Sequence, residues 1–190
     1  MSGGGYRLFV AVDPPAVVAA ELTAWARAHR GPSSALRPMP PANIHLTLAF
    51  LGSQPAGDVD AILGAIGAAV HEFTLGGPRG PIHLETTGPA WLPPRRPRTL
   101  VVDVDDPSGE LADLRRALVS ALATAIGWED DRPRFRPHLT AGRLSGPLDR
   151  PVPLEPTPSL EFTVDEVTLY RSFLGPAGAR YEALGTTSLV

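Results

Sequence analysis

The stretch "NIHLTLAF", Asn43 to Phe50, sets a histidine and a threonine at alternate positions of an otherwise apolar run. In a strand, residues i and i+2 share a face and stand about 6–7 Å apart. Ile44, Leu46, Leu48 and Phe50 are therefore expected on the core side, with His45 and Thr47 side by side on the other. The stretch "PHLTAG", Pro137 to Gly142, repeats the pattern: Leu139 and Ala141 toward the core, His138 and Thr140 away from it. A single H-x-T on an amphipathic strand is most simply a solvated face, because the pattern is short and its residues are common. Two copies, each inside H-L-T, each after an Arg/Pro-containing approach and about half a chain apart, predict two half-sites across a cleft.

Working outward, "YRLFVAV" (Tyr6 to Val12) is rich in β-formers and predicts a strand. Asp13 is placed to cap the following helix, with Pro14 at its first position. Val18, Leu22, Trp25 and His29 recur at helical spacing to about Arg30, and Gly31-Pro32 stops the helix. The strand "IHLTLAFLG" ends at Gly52. A second helix from about Asp58 puts Val59, Ile62, Leu63, Ile66, Val70 and Phe73 on one face. "IHLETTG" (Ile82 to Gly88) and "TLVVDV" (Thr99 to Val104) predict strands joined by the loop "PAWLPPRRPR". A third helix from near Ser108 carries Leu111, Leu114, Leu118, Leu122 and Ile126 and stops at Gly127. "HLTAGRL" follows as a strand, then a Pro-rich connection from Gly146 to Pro158. Leu160 to Leu174 reads as one long strand, and "ARYEALGTTSL" as the last, joined through "GPAG". Antiparallel hairpins mixed with three helices indicate an α+β fold rather than a doubly wound parallel sheet. No interdomain linker interrupts residues 1–190, so one domain with one H-x-T motif in each of two lobes is expected.

Bulk properties narrow the function classes. A hydrophobic content of 43% with 19% charged residues is ordinary for a globular chain of 190 residues. No apolar run approaches the roughly 20 residues that span a bilayer. The N-terminal "MSGGGYRLFVAV" lacks the basic and apolar regions of a secretory signal, so a cytoplasmic protein is expected. There are no cysteines, which removes disulfides and thiolate metal sites. A net charge of −3 argues against wrapping a long duplex. All 17 basic residues are arginine, as coding bias in a chain rich in Ala, Gly and Pro would produce.

Two histidines are what hydrolysis or transesterification of a phosphodiester requires near neutral pH. With an ordinary pKa of about 6.5, one ring can act as base while the other, protonated, acts as acid. In-line displacement wants them on opposite sides of phosphorus, and threonine hydroxyls can donate to oxygens that gain charge in the transition state. Neither motif carries a second histidine or a carboxylate at ligand spacing, so a metal-free mechanism without cofactor is expected. No nucleophilic cysteine or G-x-S-x-G elbow supports acyl chemistry. His29, His71 and His83, the last in "IHLE" without the threonine, read as packing or surface residues. Arg37, Arg134 and Arg136 lie close before the motifs and can raise the potential around the cleft. Arg95, Arg96 and Arg98 fall in a solvated Pro-rich loop. Phe9 is a candidate stacking platform for a base, though core packing is the better reading.

With these residues in place, the chain resembles the two-histidine (2H) phosphoesterases, and among them the RNA 2′,3′-cyclic phosphodiesterase, or 2′-5′ RNA ligase-like, family. "RLFVAVDPP", "NIHLTLAFLG", "RFRPHLTAGRL" and "VTLYRSFLGPAGARYEAL" carry the resemblance over nearly the whole chain. It implies two pseudo-symmetric lobes of antiparallel sheet with helices packed outside and the motifs lining the cleft between them. It also implies opening of a terminal 2′,3′-cyclic phosphate to a 2′-phosphomonoester on RNA ends or nucleotides, with reversible 2′-5′ ligation as the reverse reaction. Carried over, His45 is the general acid, His138 the general base, and Thr47 and Thr140 hold phosphate oxygens. Arg143, at the family's arginine position, adds charge. By simple alternation Arg143 faces away from His138, so a bend or bulge near Gly142 is required. The family usually reads H-L-T-L-A-R where this chain has H-L-T-A-G-R, a change that loosens the strand but keeps every catalytic residue. A monomer without membrane association is expected. Linear 2′-5′ oligonucleotides, ADP-ribose cyclic phosphate, or RNA-end binding without turnover are the alternatives for the same cleft.

Overall fold

The computed structural model describes residues 5–29, 35–75, 80–131, 134–146, 153–175 and 178–190. Among the described residues, nine strands and three α-helices follow one another as β1 (Tyr6–Val12), α1 (Ala16–Ala28), β2 (Leu36–Pro38), β3 (Leu46–Gln54), α2 (Val59–Thr74), β4 (Ile82–Leu92), β5 (Thr99–Asp105), α3 (Glu110–Ile126), β6 (His138–Leu144), β7 (Glu161–Val164), β8 (Glu166–Gly175) and β9 (Gly178–Ser188). Every pairing between them is antiparallel. The α+β class expected from the strand and helix patterns is the class observed.

All nine strands join one sheet in the order β7-β4-β5-β6-β3-β1-β8-β9, with β2 paired to β6. This order dictates the curvature. β7 and β8 are six strand spacings apart in the sheet, about 29 Å if it were flat. Only Asp165 separates them in the chain, a reach of about 7 Å. The sheet must therefore curl until its β7 edge approaches β8. The long strand expected over Leu160 to Leu174 is accordingly two strands that pair with β4 and β1 respectively. Period-two alternation continues across the break, so the sequence pattern does not reveal it.

The core forms where the apolar face of the sheet meets the helices. Leu8, Val10 and Val12 of β1, Leu46 and Leu48 of β3, and Leu100 and Val102 of β5 are buried in one cluster with Leu22 of α1, Ile62 and Ile66 of α2, and Leu111 and Leu118 of α3. The opposite face of the sheet carries the histidines and threonines.

Three further expectations are corrected. Asp13 does not cap α1: Pro15 holds that position with no side-chain hydrogen bond, and its extended backbone (φ −52°, ψ 148°) delays the helix to Ala16. Two consecutive prolines keep the chain extended, leaving Asp13 too far back to reach the first turn. Gly52 does not end β3, because its left-handed φ of 72° lets the strand pass an irregularity and run on to Gln54. The strand expected at Ile82 to Gly88 extends to Leu92, taking in residues assigned to the loop. The Gly31-Pro32 stop and the hairpin tip at Pro176 and Ala177 lie outside the described residues.

Candidate active site

The two motif strands meet at one residue pair, Leu46 opposite Leu139, the central positions of the two H-x-T triplets. Their antiparallel sense brings Thr140 to the side of His45 and His138 to the side of Thr47. The four side chains thus stand at the corners of a quadrilateral with the histidines on one diagonal, for which neighbouring-strand geometry gives about 7–8 Å. All four line a single cleft of about 420 Å³, and Arg143 joins them.

Arg143 reaches the cleft through the irregularity that alternation demanded. Between β5 and β6, Leu100 pairs with Gly142 but Val101 with Thr140, so Ala141 is an extra residue. That bulge reverses the phase and turns Arg143 to the side of His138. Gly142 does not loosen the strand as the sequence comparison implied. It is buried, and a Cβ there would lie 2.8 Å from Leu36 Cδ1, so the larger Leu36 of β2 fills the space that a side chain would take.

The first motif contains the same irregularity. Ala11 pairs with Thr47 and Val10 with Ala49, which leaves Leu48 as the extra residue. Phe50, expected in the core, is turned into the cleft for this reason, and the Arg7 guanidinium lies over its ring at 4.5 Å. The carbonyls displaced by the two bulges are both satisfied. Leu48 O accepts from Arg115 Nε of α3 at 3.0 Å, and Ala141 O accepts from the Met39 backbone N–H at 2.8 Å. Arg115 is itself held by an ion pair to Asp130 and lies over the Phe135 ring at 4.5 Å, tying the first motif to the approach of the second.

Both imidazoles are oriented by the backbone two residues upstream. His138 Nδ1 lies 2.8 Å from Arg136 O, which assigns its proton to Nδ1 and leaves Nε2 for chemistry. The His45 ring bonds the Asn43 backbone, and Asn43 in turn donates from Nδ2 to Ala179 O of β9 at 3.0 Å. His45 also sits in an aromatic enclosure. Phe9 stacks on it at 4.7 Å, Tyr181 meets it edge-on at 5.0 Å, and Tyr170 backs Phe9 at 5.2 Å. The Tyr170 hydroxyl donates to Asp13 Oδ2 at 2.7 Å, which gives Asp13 its partner. Burial pushes the Asp13 carboxyl up, against the pull of that hydrogen bond. Phe9, expected in the core, is buried on the opposite, cleft face of β1 instead: it is not part of the cluster under the helices, and its ring forms the floor under His45.

Burial drives the His45 pKa down to about 4, with smaller contributions in the same direction from Arg143 and His138; the Asn43 bond opposes them. The ring is therefore neutral at pH 7. The second half-site is built from charges instead. Asp103 pairs with His138 across β5 and β6 and receives a two-pronged bond from Arg136, at 2.8 and 2.7 Å. Arg136 is thus committed to Asp103 rather than adding free charge to the cleft. Arg37 of β2 stands directly opposite Arg143, while Arg134 and the loop residues Arg95, Arg96 and Arg98 lie outside the residues that line the cleft. The other histidines lie elsewhere: His29 joins Trp25 O to the Glu155 N–H, and His71 and His83 are exposed. Sequence reasoning left out Arg7, Phe50, Tyr170 and Tyr181. The bulges that turn Phe50 inward have no composition signal, and the tyrosines arrive from strands distant in the chain. Among the described residues, no three His, Asp or Glu side chains gather as a metal-ligand set, and no helix is long and apolar enough to cross a membrane.

Residues 14–174 match the family model described as the 2′-5′ RNA ligase superfamily. The chain is 32% identical over 180 residues to the RNA 2′,3′-cyclic phosphodiesterase of Escherichia coli, covering 94% of this chain and 93% of the relative. It is 34% identical over 190 residues to the enzyme of that name from Thermus thermophilus, covering 96% and 90%. Among solved structures, a Thermus thermophilus protein superposes with a TM-score of 0.77 at 29% identity, covering 96% of this chain and 97% of the other. Escherichia coli LigT complexed with 3′-AMP gives 0.75 at 29%, covering 97% and 98%. With the family model matched over residues 14–174 and relatives matched in fold and over nearly their whole length, the chain belongs to the 2′-5′ RNA ligase superfamily.

Proposed function

We propose that the chain is an RNA 2′,3′-cyclic phosphodiesterase of the cytoplasm, opening terminal 2′,3′-cyclic phosphates on RNA or nucleotides to 2′-phosphomonoesters without a metal. Its 190 residues act as one catalytic domain whose two halves are related by a pseudo-twofold through the Leu46–Leu139 pair. The observation that carries the reading is the crossed arrangement of His45, Thr47, His138 and Thr140 around one cleft, with Arg143 beside it. The cyclic phosphodiesterase relatives and the 3′-AMP held by a neighbour in fold agree with it.

The crossed arrangement supports the following steps. The cyclic phosphate sits between the two rings, its non-bridging oxygens accepting from the Thr47 and Thr140 hydroxyls and from Arg143. His138 Nε2 takes a proton from water as its oxygen bonds phosphorus. The P–O3′ bond breaks on the far side, and His45 gives its proton to the departing 3′ oxygen. A 2′-phosphomonoester and a free 3′ hydroxyl remain, and the histidines exchange their protonation states. Run forwards with an RNA 5′ hydroxyl in place of water, the same groups form a 2′-5′ bond, and the reverse of that step, attack by the 3′ hydroxyl, breaks it.

One observation favours the exchanged roles: burial lowers the His45 pKa to about 4, so its ring is neutral at pH 7, the form a base requires. A bound anionic phosphate raises it, and two experiments on separate substrates decide. With a 2′,3′-cyclic nucleotide, His45→Ala and His138→Ala are each expected to cut kcat by at least about 10²–10⁴-fold, with EDTA harmless. Full activity in either variant overturns the proposal. With a phosphodiester whose leaving group is a nitrophenol, no acid is needed, and the variant lacking the acid recovers selectively. Recovery in His45→Ala assigns the acid to His45; recovery in His138→Ala exchanges the roles.

A further inference from the structure

Arg37 and Arg143 are directly opposed in the antiparallel pair of β2 and β6. Opposed residues share a face of the sheet, with Cβ atoms about 4.5–5.5 Å apart, and two like charges so placed destabilise the pair. Their neighbours fix which face it is. Leu36 and Gly142, one step back on each strand, are buried on the core side, so Arg37 and Arg143 look toward the cleft side. Neither arginine has a carboxylate partner among the described residues. Arg37 is exposed, β2 pairs only with β6 among the described strands, and Arg37 lies outside the ring of residues that lines the cleft. The row Thr99–Arg143–Arg37 thus runs from the cleft wall to an open sheet edge.

Resting on the phosphodiesterase reading, we propose that Arg37 is a second phosphate site: it takes the phosphodiester that joins the cyclic-phosphate nucleotide to the rest of the RNA. Arg143 faces the reacting phosphate, and Arg37, one strand further out, faces the next one along the chain. The RNA then leaves the cleft over β2, and two successive phosphates, one on each guanidinium, offset the repulsion between them. The site makes the enzyme prefer RNA ends to free cyclic nucleotides, with no regard to base identity.

The test compares Arg37→Ala and Arg37→Gln with wild type on two substrates, a 2′,3′-cyclic mononucleotide and a dinucleotide ending in a 2′,3′-cyclic phosphate. The mononucleotide lacks the joining phosphodiester. Both variants are expected to leave mononucleotide turnover unchanged and to lower kcat/KM on the dinucleotide by about threefold to tenfold. The slope of log kcat/KM against log salt for the dinucleotide is expected to fall by about 0.7, the value for one phosphate on a single strand. Equal losses on both substrates place Arg37 on the reacting phosphate and overturn the proposal, as does no loss on either. A dinucleotide-specific loss in Arg95→Ala with none at Arg37 also overturns it, sending the RNA over the 93–98 loop instead. If wild type turns over neither substrate, the phosphodiesterase reading itself fails.

Discussion

The two half-sites share a backbone device and differ in almost everything that surrounds it. In each, the histidine ring is tied to the backbone two residues upstream, and a bulge at the residue after the threonine turns the fifth residue after the histidine into the cleft. In the first half that residue is Phe50, with Arg7 lying over its ring; in the second it is Arg143 itself. Phe9 flanks the first motif where Thr99 flanks the second, Phe9 pairing with Phe50 and Thr99 with Arg143. His45 is walled by aromatic rings, while His138 stands beside the Asp103–Arg136 pair. The backbone sets where the groups stand, and the neighbouring strands set what kind of medium each works in. One half is aromatic, the other charged.

The comparison breaks most visibly at the threonines. In the proposed mechanism Thr140 has Arg143 in its own half as a second donor to the phosphate, whereas Thr47 has Phe50 at the corresponding position. Thr47→Val is therefore expected to lower kcat by about 10²–10³-fold and Thr140→Val by clearly less, measured on a cyclic mononucleotide. Equal losses mean that the halves share the phosphate evenly and the asymmetry is irrelevant to catalysis. The aromatic half makes a further claim on stability. His45 has a folded pKa of about 4 against an unfolded value near 6.5, so the unfolded chain binds more protons between these pH values. The full stability is present above pH 6.5 and is lost progressively as pH falls toward 4, by about 3 kcal/mol from this residue. In urea unfolding at pH 7 and pH 4.5, His45→Gln is expected to lose less stability between the two than wild type does. An identical pH dependence in both proteins refutes that claim. Smallest is the effect of Gly142→Ala. Its Cβ meets Leu36 at 2.8 Å, so a loss of about 1 kcal/mol is expected, shrinking when Leu36 is also changed to Val. Ala49, in the corresponding place of the first motif, already carries that methyl group.

Period-two alternation was enough to separate His45 and Thr47 from Ile44 and Leu46, and it found the same division in the second motif. It required a bulge beside Gly142 without locating it at Ala141, because the mismatch showed only through the expected role of Arg143. The matching bulge at Leu48 left no trace. Phe50 is apolar and alternates correctly, so nothing in the residues distinguishes a core position from a cleft wall. The Asp165 break was hidden for a related reason, since both strands beside it are legitimate β sequence. What alternation cannot supply is long-range register. Tyr170 and Tyr181 reach His45 only because β8 crosses to β1, and Asp13 finds Tyr170 by the same route instead of capping a helix.

The one-residue joint at Asp165 also fixes the order in which the cleft can be completed during synthesis. Strands β4 to β7 are contiguous in the chain and bring most of the second half together early. β1 and β3, although made first, wait for β8 before the sheet can continue beyond β1. The aromatic enclosure of His45 includes Tyr170 and Tyr181, both made after the second motif. Until they emerge from the ribosome, a nascent chain holds both histidines but only the charged half of the site. The first H-x-T motif to be translated is the last to acquire its working environment.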